Sequence, residues 1–122
     1  MKGLVEFKNS DGEVKLTCLF GMMAIMDFCE DRKISFTQFE ESLRDNTDTI
    51  QLMKNFMSLI YFAAVNYSVY KKEEYTMTQK ETFLLIDIEG LLNESNIAIM
   101  TTALFSGFAK VEQKKTKVQV KQ

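Results

Sequence analysis

The patterning of the chain predicts a mainly helical α+β fold, with an N-terminal β-hairpin packed on a bundle of about five helices. Two observations carry this. Apolar residues alternate with polar ones up to Cys18 and then recur at helical spacing. The sequence also has no proline to interrupt a long helix, and at two points it offers Ser or Thr followed three residues later by Gln or Glu.

Taken in order, Leu4, Val5 and Phe7 lead to Asn9-Ser10-Asp11-Gly12, after which Val14, Leu16 and Cys18 alternate. Asp-Gly between two short alternating runs signals a hairpin, so residues 4–8 and 13–18 read as antiparallel strands. A lone hairpin is marginal in water and has to lie on something. From Leu19 the period changes: Leu19, Met22, Met23, Met26 and Cys29 follow helical spacing and place a first helix over 20–30. Ser35-Phe36-Thr37-Gln38 fits a capping box opening a short second helix, with Phe36, Phe39 and Leu43 on one face and Glu40, Glu41 and Arg44 toward water.

Asp48, with Gln51 three residues on, starts a third helix from about 48 to 70. It carries one apolar stripe of Ile50, Met53, Met57, Ile60, Ala64 and Tyr67, and another of Leu52, Phe56, Leu59, Ala63 and Tyr70. A helix apolar on two sides is central and buried, so this one is the expected core. Thr78-Gln79-Lys80-Glu81 is a second capping box. It opens a fourth helix over about 79–92 that presents Phe83, Leu84, Leu85, Ile88, Leu91 and Leu92, with Gly90 as a point of interruption. Asn93 or Ser95 starts a fifth helix to about Ala109, with Ile97, Met100, Leu104 and Phe108 inward. Beyond Ala109 the apolar pattern stops, so residues 1–109 read as a single domain and residues 110–122 as a flexible basic tail.

Composition narrows the chemistry. With 122 residues, 46% hydrophobic and 26% charged, the chain has globular values for one domain. It contains no histidine, which removes the commonest general base and metal ligand and makes a Ser–His or Cys–His nucleophile impossible within one chain. Glu30-Asp31, Glu40-Glu41 and Glu73-Glu74 are sequence neighbours, which do not face each other on a helix and read as solvated surface. The stretch 45–49 lacks the glycine and terminal glutamate of a calcium loop, and the isolated glycines form no phosphate cradle. No catalytic, metal or cofactor residue is therefore expected. Cys18 and Cys29 are not spaced as a redox pair and read as reduced and structural, both near one helix. The N-terminus lacks the apolar stretch of a secretory signal, and no run of eighteen apolar residues offers a membrane span.

Net charge is −2, but five lysines against one glutamate give residues 110–122 a charge of +4 and leave −6 on residues 1–109. An acidic body argues against nucleic acid. What remains is binding to protein. The Met cluster, Met22, Met23 and Met26 with Met53 and Met57, has a plain reading as core and a sharper one as an adaptable groove, since methionine repacks easily. Met22, Met23, Met26, Phe36 and Phe39 are accordingly the candidate partner-binding residues of the body. Lys114, Lys115 and Lys117 are those of the tail, either a solubilising end or an arm for an acidic partner or a second copy.

The order of parts resembles a known family. A hairpin leads into LFGMMAIMDFCEDRKISFTQFEESL, then the long apolar TIQLMKNFMSLIYFAAVNYS, then TMTQKETFLLIDIEGLLNE and a last helix. This is similar to the tail assembly chaperones of long-tailed bacteriophages and related prophages over about residues 4–109, with Phe20-Gly21, Glu30-Asp31, Ser35-Phe36, Thr78 and Asp87 at the matching places. One departure is Arg32-Lys33, where the family often has a glycine after the first helix. The resemblance implies a non-enzymatic chaperone of the bacterial host's cytoplasm, absent from the finished particle. It would bind the tape measure protein, assist polymerisation of the tail tube protein around it, self-associate, and in many cases exist also in a frameshift-extended form. The competing expectation is a small regulatory adaptor that binds one folded partner; tail genes on both sides would favour the chaperone.

Overall fold

In the computed structural model the described residues are 3–44 and 48–104, the Arg44 side chain excepted. The alternating N-terminal run forms strand β1, Leu4–Lys8, paired antiparallel with β2, Val14–Leu19. Val5 and Phe7 on one strand and Leu16 and Cys18 on the other are buried, while Glu6, Lys8 and Val14 face out. The loop is built as its sequence indicates. Asn9 Oδ1 accepts the backbone N–H groups of Asp11 and Glu13, both at 3.0 Å, and Gly12 adopts a φ of 82°. The register shifts between Phe7, opposite Leu16, and Lys8, opposite Val14, so Lys15 is the extra residue of a bulge.

Five helices follow: α1, Met22–Arg32; α2, Phe36–Arg44; α3, Thr49–Lys71; α4, Gln79–Ile88; and α5 over 94–104. The starts of α2 to α5 are held by side-chain caps, whereas α1 starts at Gly21 with none. The Ser35 backbone N–H donates to Gln38 Oε1 at 2.8 Å and Gln38 N–H to Ser35 Oγ at 3.1 Å, a reciprocal box. Asp48 accepts from the backbone of Ile50 and Gln51, and Thr78 with Glu81 forms the second reciprocal box. Hydrogen bonding of the Glu81 carboxylate to the Thr78 backbone N–H first, and to the Thr78 side chain second, holds that carboxyl below its ordinary pKa. Asn93 Oδ1 takes the N–H of Asn96 at 2.9 Å and opens α5.

Three boundaries differ from expectation, each for a visible reason. Helix α1 begins two residues late because Phe20 still donates its N–H to the Gly3 carbonyl at 2.7 Å, and Gly21 is extended. Its last turn closes at Lys33, which takes the left-handed conformation, φ 55° and ψ 47°, that glycine adopts without strain. Helix α4 ends at Ile88, not 92, because Gly90 turns left-handed at φ 61° and sends Leu91 into the core, with the Leu91 N–H on the Ile86 carbonyl at 2.9 Å. Phe108 and the proposed tail lie outside the described residues.

Helix α3 is the core element, as its two stripes indicated. Leu59, Ile60, Ala63 and Ala64 are fully buried. Against them lie β2, α1, α2 and α4, with Cys18 Sγ 3.6 Å from the Ile60 carbonyl oxygen. Ile50 and Tyr70, in its first and last turns, overhang the core and are exposed. Cys18 is on β2, as the alternating run indicated, and Cys29 is on α1.

The face of α1 is a correction. Ala24, Ile25 and Phe28 are buried, whereas Met22, Met23 and Met26 point outward. The buried Phe20 and the extended Gly21 fix the rotation at which the helix starts, and Phe28 then meets the Phe39 ring edge-on at 5.5 Å. Phe28→Ala is expected to cost about 3–5 kcal/mol in urea denaturation, and Met23→Ala under about 0.5 kcal/mol. Lys33→Gly should raise stability by about 0.5 kcal/mol, since relief of left-handed strain exceeds the added flexibility of the unfolded chain.

Candidate partner-binding site

The strand-to-helix corner positions the candidate residues. With Phe20 turned into the core, the first turn of α1 projects Met22 and Met23 over the last turns of α3. They meet Val69 and Tyr70 there, and Leu19 and Asn66 complete an open groove of about 450 Å³. Met23 is 60% exposed and Val69 69% exposed, so an apolar surface on two helices is left to water. Met26 is also exposed, one turn further along α1.

The other candidates separate from this groove. Phe39, expected at a partner-binding face, is 0% exposed between Phe28 and Phe36 and is a core residue. It is the most inward position of a short amphipathic helix, so the apolar face that sequence assigned to a partner is spent on the fold. Phe36 is partly exposed at the α1–α2 end, stacked at 6.1 Å on Phe39, and does not line the groove. Met53 and Met57 are half-buried on α3. Lys114, Lys115 and Lys117 lie outside the described residues. Val69 and Tyr70 were missed by sequence reasoning, although the polar Asn66 and Ser68 beside them marked where the buried stripe of α3 fades.

The groove continues along the α1–α3 seam. The helices run antiparallel: Met22 lies beside Val69 and Tyr70, and Arg32 reaches Asn55 and Ser58. Between those ends Asp27, Glu30 and Asp31 of α1 face Tyr61, Phe62 and Val65 of α3 around a second hollow of about 360 Å³. Partial burial, with the neighbouring Glu30 charge adding to it, raises the Asp27 carboxyl above its ordinary pKa. The Arg32 guanidinium donates to Asn55 Oδ1 at 3.0 Å and Ser58 Oγ at 2.7 Å, lies 5.0 Å from the Phe28 ring centre, and has its Nε 3.8 Å from Asp31. It is committed to seating α1 on α3.

A larger hollow, about 970 Å³, lies elsewhere, between β1, the hairpin loop and the α4–α5 junction. Several of its polar groups serve the fold. Asn9 donates to Glu89 at 3.3 Å, Lys15 bridges Glu13 and Glu89 at 3.5 and 3.7 Å, and the buried Asn96 donates to the carbonyls of Lys8 and Leu91 at 2.9 and 3.0 Å. The exposed Ile88 and Ile99 border it.

Among the described residues no group of three His, Cys, Asp or Glu side chains is placed to hold a metal ion, and no helix is long and apolar enough to cross a membrane. Asp48 of the stretch compared with a calcium loop serves as the N-cap of α3. No protein-family model, curated protein or solved structure matches the chain.

Burial raises both thiols, Cys18 strongly, which keeps them protonated at neutral pH and poor as nucleophiles. Iodoacetamide at pH 7.5 should modify the half-buried Cys29 slowly and Cys18 only as fast as the protein unfolds, read by mass spectrometry of the native chain; rapid labelling of Cys18 would refute its burial against Ile60.

Proposed function

We propose that this protein is a tail assembly chaperone of a long-tailed phage or prophage, acting in the bacterial cytoplasm to hold the apolar helices of the tape measure protein in solution while the tail tube protein polymerises around it. The observation that carries the reading is the exposed groove of Met22, Met23, Val69 and Tyr70. Two unbranched, polarisable methionines beside a flat aromatic ring suit a surface that must accept many different apolar segments. The order of a hairpin, a corner through Phe20-Gly21 and capped helices at Ser35 and Thr78 supports the same reading, because those parts carry the family resemblance. An acidic body adds solubility to a complex whose partner is apolar.

Co-expression with the tape measure protein encoded nearby is the direct test. The expected outcome is a soluble complex that co-purifies, and Met23→Lys with Val69→Lys should lower the recovered complex at least about tenfold, the equivalent of losing roughly 1.4 kcal/mol of binding. A tape measure protein equally insoluble with and without this chain would overturn the reading.

A further inference from the structure

The α1–α3 seam changes character along its length, and that gradient defines a partner. On α1, Met23, Asp27 and Asp31 recur four residues apart and so form one flank of the helix, the flank that faces α3. Opposite them run Val69 and Asn66, then Val65 and Phe62. One end is therefore methionine, valine and tyrosine, and the other holds three carboxylates over an aromatic floor. From Met23 to Asp31 the seam extends about 12 Å, the length of two to three helical turns.

We infer that this seam docks an amphipathic helix whose apolar residues fill the Met22–Met23 end and whose lysines or arginines meet Asp27, Glu30 and Asp31. The inference rests on the chaperone reading only in taking the occupant to be a segment of another protein. Charge complementarity selects the occupant: Asp27 and Glu30 crowd each other beside Asp31, and Arg32, whose Nε lies 3.8 Å from Asp31, gives its hydrogen bonds to Asn55 and Ser58. A bound cation would relieve that crowding, while a purely apolar helix would cover Asp27 and Glu30 and leave those charges uncompensated. The gradient also fixes which way the occupant lies, because its charged end fits only the α1 C-terminal end of the seam.

The test uses the full chain and two dye-labelled helical peptides of identical composition. One has its leucines in one half and its lysines in the other; the second interleaves them. The segregated peptide is expected to bind at least tenfold tighter by fluorescence anisotropy, and its affinity should fall in 0.5 M salt. Met23→Lys with Val69→Lys, and separately Asp27→Lys with Glu30→Lys, should each weaken it about tenfold. The second variant should instead favour a segregated peptide carrying glutamates, a gain that damage to the fold would not produce. Equal binding of the two peptides, or loss on Ile88→Lys with no loss on the seam variants, overturns the inference. So does tighter binding once Lys114, Lys115 and Lys117 are all changed to Gln, which would assign the seam to the chain's own lysines. Seam variants that still keep the tape measure protein soluble refute this placement and leave the chaperone reading standing; peptide binding with no effect on that protein does the reverse.

Discussion

Everything in this fold depends on how closely other elements can approach the middle of α3. Helix α3 is the element on which β2, α1 and α4 all pack, and Ala63 and Ala64 in its C-terminal half are both buried. A side chain of one methyl group lets neighbouring elements pack close to the helix, where a larger one would overpack. The same closeness lets Cys18, another small side chain, reach the Ile60 carbonyl. Larger buried residues complete the core around this waist: Leu59 and Ile60 on α3, with the ring pairs Phe7–Phe20 and Phe28–Phe39.

Around that waist the buried polar groups act as fasteners that set direction. Asn55, Ser58, Thr82 and Asn96 are all buried, and among the described residues no buried side-chain nitrogen or oxygen lacks a hydrogen-bond partner. Arg32 holds one end of α1 to Asn55 and Ser58, and Phe20-Gly21 holds the other to the sheet. With both ends fixed, the helix has a single rotation, and that rotation turns the methionines to water. Asn96 ties the hairpin to the α4–α5 turn in the same manner. Thr82 donates its hydroxyl hydrogen to the Thr78 carbonyl, so it accepts from Tyr75, which closes the α3–α4 connection over Tyr61.

What could be read from the sequence, and what could not, divides along a physical line. Signals written in neighbouring residues were legible: Asp-Gly in the hairpin loop, Ser35 with Gln38, Asp48, Thr78 with Glu81 and Asn93 all make the hydrogen bonds that their types indicate. The double stripe of α3 was legible because it is apolar on both sides. The facing of α1 was not, because Met22, Met23 and Met26 compete with Ala24, Ile25 and Phe28 for the interior. Adjacent positions such as 22 and 23 stand about 100° apart on a helix, which warned that one stripe could not take both. Phe39 was assigned to a partner for the converse reason, since a short amphipathic helix reads alike whether its apolar face meets the core or a guest. Leu91 and Leu92 continue the period of α4 past the glycine that ends it; Val69 stands off either stripe of α3, and Tyr70 ends a stripe that reads as core, so the second wall of the groove emerges only once the helices are placed.

Gly3 joins these threads at the mouth of the hairpin. Its φ is +86°, a Cβ there would collide with the Phe20 carbonyl oxygen, and its own carbonyl accepts the Phe20 N–H. The backbone at position 3 is thereby locked to the corner from which α1 departs. An affinity handle or fluorescent module fused upstream on a short linker would thus be tethered beside the corner that opens into the methionine groove and would shade it. Labelled versions of this protein meant to report on guest capture should carry their cargo elsewhere.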